Sequence, residues 1–190
     1  MYKLALVGKN ISHSRSQEVY EKLLGESVDY TKFDVIYEKE IPRLEDVFSS
    51  HEGLSITAPY KSVYVPHVQL IGKAQDLGFI NCVRKSRTGS FEATNTDLLA
   101  LDDLFDEFFQ THGIDFTIYV LGSGHMAKLS KLLLEKRNLE YKQLSRREGH
   151  HLKEYDFTQV NDLKVLVLNA CSREFIFRGI IGGQTYFWDF

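Results

Sequence analysis

The run Phe116-Thr-Ile-Tyr-Val-Leu121 leads straight into Gly122-Ser-Gly124-His-Met-Ala127, and then into a helical pattern that lasts to Arg137. A short apolar run, a glycine turn and a helix make a strand–turn–helix unit. Such units build parallel sheets covered by helices. Gly122 permits the tight bend, Gly124 lets the backbone come close to a ligand, and Ala127 permits close packing of helix on strand. The helix N-terminus favours an anion through its free N–H groups and its dipole. The spacing in that context predicts a dinucleotide-binding turn formed by Gly122, Ser123, Gly124, His125 and Ala127, over the plainer alternative of a packing turn.

The end of the next strand discriminates between cofactors. Residues 140–144 read as a strand that ends at Ser145-Arg146-Arg147, with no acid before Glu148. A carboxylate there would hold a ribose 2′-hydroxyl, whereas arginines attract a 2′-phosphate and can bind it in bidentate fashion. NADP is therefore expected in preference to NAD; the alternative is a solvated basic turn. Asn169, which ends the apolar strand 164–168, completes the candidate cofactor set of Gly122, Ser123, Gly124, His125, Ala127, Ser145, Arg146, Arg147 and Asn169. Residues 185–190 read as one more strand.

The first half alternates in the same way. Strands are predicted at 3–7, 29–36 and in the stretch Leu54-Ser-Ile-Thr-Ala-Pro-Tyr-Lys61; helices are predicted at 17–24, 40–48 and 68–77. A hairpin over 79–85 and 90–94 turns at Ser86-Arg-Thr-Gly89. Pro59 ends its strand and pushes Ala58 towards extended geometry, so Lys61 stands at a strand's carboxyl end, where open α/β sheets place ligands. A solvated loop lysine is the bland alternative. Asn95-Thr96-Asp97 precedes a helix at 98–109, which Thr96 or Asp97 can cap. The fold class is thus α/β, with a mostly parallel sheet and an antiparallel edge in the first part.

The chain has 190 residues, enough for one good-sized domain or two small ones. Its net charge of −3 carries no basic excess for nucleic acid and no polybasic run for an anionic membrane. Cys82 and Cys171 stand far apart, which gives no disulfide framework and no metal pair, and fits a reducing, cytoplasmic setting. The apolar run at the N-terminus is too short for a membrane span or a signal segment. No metal is expected.

Taken in order, these motifs resemble the shikimate dehydrogenase family. Gly8-Lys-Asn-Ile-Ser-His-Ser-Arg-Ser-Gln17 is similar to that family's G-x-P-I-x-H-S-x-S-P loop. Ile56-Thr-Ala-Pro-Tyr-Lys61 is similar to V-T-x-P-x-K, Ile80-Asn-Cys82 to A-V-N-T, and Asn95-Thr-Asp97 to N-T-D. Gly122 to Ala127 follows G-x-G-G-x-A, and Ser145-Arg146 the basic cofactor loop. The resemblance implies a substrate domain at 1–97 and a Rossmann-like NADP-binding domain at 98–190, with 96–110 as connecting helix. It implies reversible hydride transfer between NADPH and 3-dehydroshikimate, in the synthesis of aromatic amino acids. By position, Ser14 and Ser16 would bind the substrate carboxylate, and Thr57, Asn81 and Asp97 its hydroxyls. Lys61, paired with Asp97, would handle the proton at the reacting oxygen. Each residue has a plainer reading too: Ser14, Ser16 and Asp97 can cap helices, and Asn81 can satisfy strand-end backbone groups.

The sequence departs from the pattern in four places and at its end. Asn10 and Gln17 replace prolines, Ser55 stands where the family prefers asparagine, and His125 replaces a glycine. The family pattern also continues past a strand resembling 185–190 into further helices. The expectation is therefore a compact member with altered or weak activity, whose exposed apolar surface a second copy could cover. A non-catalytic NADP- or metabolite-binding protein that kept the fold is the alternative.

Overall fold

The computed structural model describes the chain except for residues 147, 148, 150, 159–163 and 173. It divides into two compact units, Met1–Leu99 and Ala100–Phe190.

The described residues of the first unit form a six-stranded sheet in the order β2-β1-β3-β5-β6-β4. β1 (Tyr2–Gly8) lies parallel between β2 (Val28–Asp34) and β3 (Gly53–Ile56). The hairpin β5 (Cys82–Lys85) and β6 (Phe91–Thr94) continues the sheet antiparallel to β3. Its turn closes through the Ser86 N–H donating to the Ser90 carbonyl at 2.8 Å, with Gly89 in the left-handed region at φ +92°. The two-residue strand β4 (Gln69–Leu70) pairs with β6.

Period-two alternation assigns the faces. Ala5, Val7, Leu54, Ile56, Val83 and Ala93 share a buried face with Leu44, Val47, Tyr60 and Tyr64. The opposite face carries Leu6, Ser55 and Cys82, which are cross-strand neighbours in register. A one-residue slip of β3 would expose Leu54 and Ile56, at about 1.5–3 kcal/mol each. The core thus holds Ser55 on the polar face. α1 (Ser16–Leu24) meets that face, its Tyr20 hydroxyl 2.9 Å from Ser55 Oγ. Gly25 ends it in the left-handed conformation, φ 69°, donating to the Glu21 carbonyl at 2.9 Å.

Two helices expected from periodicity are mostly absent. Residues 68–77 give β4 and a 3-10 turn at Gly72–Asp76, because Gln69 and Leu70 pair with Glu92 and Ala93 of β6 and Gly72 takes φ +61°. Over 40–48 only α2 (Leu44–Val47) is α-helical, after a 3-10 turn at Glu38–Glu40. Pro42 explains the break: Ile41 before it is extended, as a residue preceding proline must be.

The second unit's described residues form a four-stranded parallel sheet, order β10-β9-β7-β8. Its strands are β7 (Phe116–Leu121), β8 (Tyr141–Leu144), β9 (Lys164–Asn169) and β10 (Thr185–Asp189). The centre of the sheet is apolar, with Val120, Leu121, Leu166, Val167 and Leu168 fully buried, as expected of a parallel sheet covered on both sides. α4 (His125–Lys136) packs on β7 and β9. The unit boundary falls in the first turn of α3 (Thr96–His112). Phe105 and Phe108 of α3 meet the Trp188 ring of β10 at 5.6 and 5.1 Å between centroids, which anchors that strand. Arg137 ties α4 to α3, donating to the Asp102 carboxylate at 2.7 Å and also to Asp106.

Candidate active site

The cleft of the first unit starts at Gly8. A Cβ on Gly8 would fall 2.4 Å from the Thr57 methyl and 2.6 Å from Ile11 Cγ2, so only glycine fits where the 9–15 loop crosses the end of β3. The end of β2 holds that loop. Asp34 accepts the Asn10 and Ile11 N–H groups at 2.7 and 3.2 Å, and Lys32 Nζ donates to the Ser12 and Ser14 carbonyls at 3.2 and 2.8 Å. The loop delivers Ser14 and Ser16 with their hydroxyl oxygens 3.0 Å apart, and the Ser16 N–H donates to Ser14 Oγ at 3.3 Å.

On the other side, β3 ends and the chain turns at Pro59, after a cis Ala58–Pro59 bond. The Tyr60 hydroxyl donates to the Val35 carbonyl at 2.9 Å and the Lys61 carbonyl accepts the Ile80 N–H at 2.7 Å, which fixes the turn on both sides. Lys61 Nζ then lies 2.7 Å from Asp97 Oδ2, with side-chain exposures of 14% and 33%. The ammonium is mostly withdrawn from water and the carboxylate is half-open, so a solvated loop lysine is not what the structure contains.

Asp97 is free for this because another residue caps α3. Asn95, fully buried, accepts the Leu98 N–H on its side-chain oxygen at 3.0 Å. The cap is therefore neither Thr96 nor Asp97, the two that the sequence suggested. Asn81 grips the same turn: its oxygen accepts the Thr96 N–H at 2.8 Å and its amide donates to Thr96 Oγ1 at 2.9 Å.

These elements enclose a cleft of about 240 Å³. Of the residues expected at a substrate site, Ser16, Thr57, Lys61, Asn81 and Asp97 line it, and Ser14 is one hydrogen bond behind Ser16. That volume lies just below the usual range of small-molecule sites and suits one small polar ring. Tyr20, Ser55, Cys82 and Thr96 also line it and were not anticipated. Tyr20 was legible in principle, since it lies four residues after Ser16 and so one helical turn along the same face. Burial pushes the Cys82 thiol above its ordinary range, with Arg84 offsetting part of the rise.

In the second unit the glycine turn is built from backbone. Gly122 has φ +98°, and a Cβ there would lie 2.8 Å from the Ala170 carbonyl oxygen. Its N–H donates to the Leu144 carbonyl at 2.8 Å, and its own carbonyl accepts from Gln143 Nε2 at 2.8 Å. Gly124 is extended and precedes α4; a Cβ on it would meet nothing nearer than the Ala170 oxygen at 3.9 Å. Ala127 is fully buried, as close helix–strand packing requires. Ser123 and a half-buried His125 complete the turn. The structure therefore brings Gly122, Ser123, Gly124, His125 and Ala127 together at the carboxyl end of β7.

At the end of the neighbouring β8, Ser145 is buried and Arg146 exposed, while Arg147 lies outside the described residues. Asn169 is already engaged: its amide donates to Asp189 Oδ1 at 2.7 Å and its oxygen accepts the Cys171 N–H at 3.3 Å. The open flank of Gly124, the start of a twelve-residue helix and an exposed arginine one strand over fit a phosphate-bearing cofactor. Among the described residues no cluster of His, Cys, Asp or Glu could hold a metal ion, and no helix is long and apolar enough to cross a membrane.

Residues 6–83 match the family model described as "Shikimate dehydrogenase substrate binding domain". The chain is 26% identical over 158 residues to a shikimate dehydrogenase of Sulfurisphaera tokodaii, covering 71% of this chain and 58% of that protein. It is 28% identical over 139 residues to a shikimate dehydrogenase (NADP(+)) of Caldicellulosiruptor bescii, covering 67% and 46%. The chain thus spans about half the length of the curated relatives it matches. In fold it is similar to shikimate 5-dehydrogenase of Thermus thermophilus, solved in complex with NADP(H) and shikimate, at TM-score 0.67 and 23% identity over 90% of this chain and 69% of that one. It is also similar to quinate dehydrogenase of Corynebacterium glutamicum in complex with NAD, at TM-score 0.63 and 18% identity over 90% and 70%.

Proposed function

We propose that the chain, which is similar to shikimate dehydrogenases in sequence and in fold, takes part in the NADP-dependent interconversion of 3-dehydroshikimate and shikimate. The first unit supplies the substrate site and the second the cofactor site. The observation that carries this reading is the Lys61–Asp97 pair, 2.7 Å apart and lining a small polar cleft that Asp97 shares with residues of the matched stretch 6–83.

NADP, when bound, supplies or takes up the hydride. Gly122, Ser123, Gly124 and the start of α4 would hold its pyrophosphate, and Arg146 its 2′-phosphate. A carbonyl oxygen that becomes an alkoxide needs a cation and a proton beside it. The Lys61 ammonium offers both: it donates a proton to that oxygen in reduction and becomes the neutral amine, which takes the proton back in the reverse direction. Asp97 orients the ammonium and balances its charge. Ser14 and Ser16 hold the carboxylate, with the Lys32 ammonium close behind them, and Thr57 and Asn81 hold ring hydroxyls.

The test is formation of reduced cofactor from shikimate and NADP, followed for wild type and Lys61→Ala. The expected loss is roughly a hundredfold or more, the scale of a positioned acid–base group. Clean wild-type protein that stabilises on adding shikimate or NADP without turning over would sink the dehydrogenase reading and leave a binding protein.

A further inference from the structure

Two hydroxyls on the wall of the cleft have no part in that scheme. The Tyr20 hydroxyl of α1 and Ser55 Oγ of β3 lie 2.9 Å apart and both line the cleft. Neither can turn away easily. Ser55 is held on this face by Leu54 and Ile56 in the core on the other. Tyr20 is held by its helix and by the Tyr30 ring, 6.0 Å between centroids.

We infer that Tyr20 and Ser55 act together as one specificity-determining subsite, which takes a single neutral ring hydroxyl of a polyhydroxylated cyclic carboxylic acid. The inference rests on the reading of this cleft as the substrate site. It follows from counting hydrogens. Two hydroxyls carry two protons, and one is spent in the bond between them. The pair therefore shows the cleft one donor together with free lone pairs. A ligand hydroxyl, itself one donor and one acceptor, satisfies both. A carboxylate only accepts, so it would leave lone pairs facing lone pairs. The Ser14/Ser16 end differs, because the Lys32 ammonium bound to the Ser12 and Ser14 carbonyls places positive charge beside it.

A second observation points to the same subsite. The Tyr30 hydroxyl is buried and has no hydrogen-bond partner among the described residues. Burial raises its pKa; the Ser16 and Ser55 hydroxyls lie near enough to temper that rise, though neither meets hydrogen-bond geometry. A buried hydroxyl left in this state is uncommon. This orphaned hydroxyl stands beside the pair, its ring 6.0 Å from that of Tyr20, so the wall around the subsite holds polar capacity that the protein itself leaves unused.

Calorimetric titration of wild type, Tyr20→Phe, Ser55→Ala and the double variant tests this, with shikimate and with the analogues that each lack one ring hydroxyl. Tyr20→Phe should weaken shikimate roughly tenfold, the scale of one hydrogen bond, and leave one of the analogues unaffected. The double variant should bind about as weakly as either single one, since the two hydroxyls act as a unit. In turnover the loss should fall on KM rather than on kcat. Ser55→Ala keeps the test open should Tyr20→Phe misfold. Wild type that binds shikimate, with variants that bind it equally well or lose every analogue alike, overturns the subsite and spares the proposed function. Wild type that binds no such ring overturns both.

Discussion

The first unit makes its site from side chains, whereas the second makes its site from backbone. In the first, Lys61, Asp97 and five hydroxyl-bearing side chains from separate strands, loops and helices converge on about 240 Å³. In the second, the turn at Gly122–Gly124 offers the chain itself, and the conspicuous feature is the lack of side chains. A side-chain site can lose its chemistry to one substitution while the fold stands. A backbone site has no side chain to lose: it fails when its geometry is disturbed, and the fold with it, or when a side chain is added on its open flank.

Gly122→Ala should therefore be the most damaging single change. It forces a residue with a side chain to φ +98° and sets a methyl 2.8 Å from a backbone oxygen. Together these should destabilise the chain by about 3 kcal/mol, measured by denaturant unfolding. Gly124→Ala, with open space around it, should leave stability within about 0.5 kcal/mol and weaken NADP in titration, because the added methyl meets ligand rather than protein. Equal destabilisation by the two would break the comparison. In the first unit the dissociation should run the other way. Lys61→Ala should abolish most turnover while NADP affinity, read in the same titration, stays unchanged.

Asn95→Ala should cost about 1 kcal/mol by removing the cap of α3, with the loss visible in helical circular dichroism on heating. The smallest effect concerns Cys82. Its thiol is raised by burial, so the folded protein favours the neutral form. That contribution is complete below the unfolded thiol's pKa and is lost as pH rises through the folded one, in the alkaline range. Alkylation by iodoacetamide near pH 8 should then be slower than for an unburied thiol, and shikimate should slow it further. Fast alkylation at pH 8 would mean that the cleft wall is open.

How much of this the sequence foretold follows the same division. The glycine turn was legible because its requirements are local: Gly122 needs a backbone angle and Ala127 needs a small size, and both are written in the residues themselves. β7 was bounded as Phe116–Leu121, as the structure has it, by the apolar run and the glycine after it. Lys61 and Asp97 are 36 residues apart, and only the order of motifs brought them into view together. The Tyr20–Ser55 bond joins residues 35 apart, and the hold of Lys32 on the Ser14 loop spans 18; nothing in either segment announces them. The failed helix at 68–77 is the converse case. Its periodicity was sound locally, and pairing of Gln69 and Leu70 with β6 overrode it.

The cap at Asn95 has a consequence for descent. Had Asp97 both capped α3 and paired with Lys61, any lineage that lost the carboxylate would have lost the helix as well. Because the buried amide of Asn95 holds the helix start, Asp97 is replaceable without unmaking the domain. The Lys61–Asp97 pair and the scaffold can therefore be inherited separately, and a descendant chain could keep this cleft after the pair had gone.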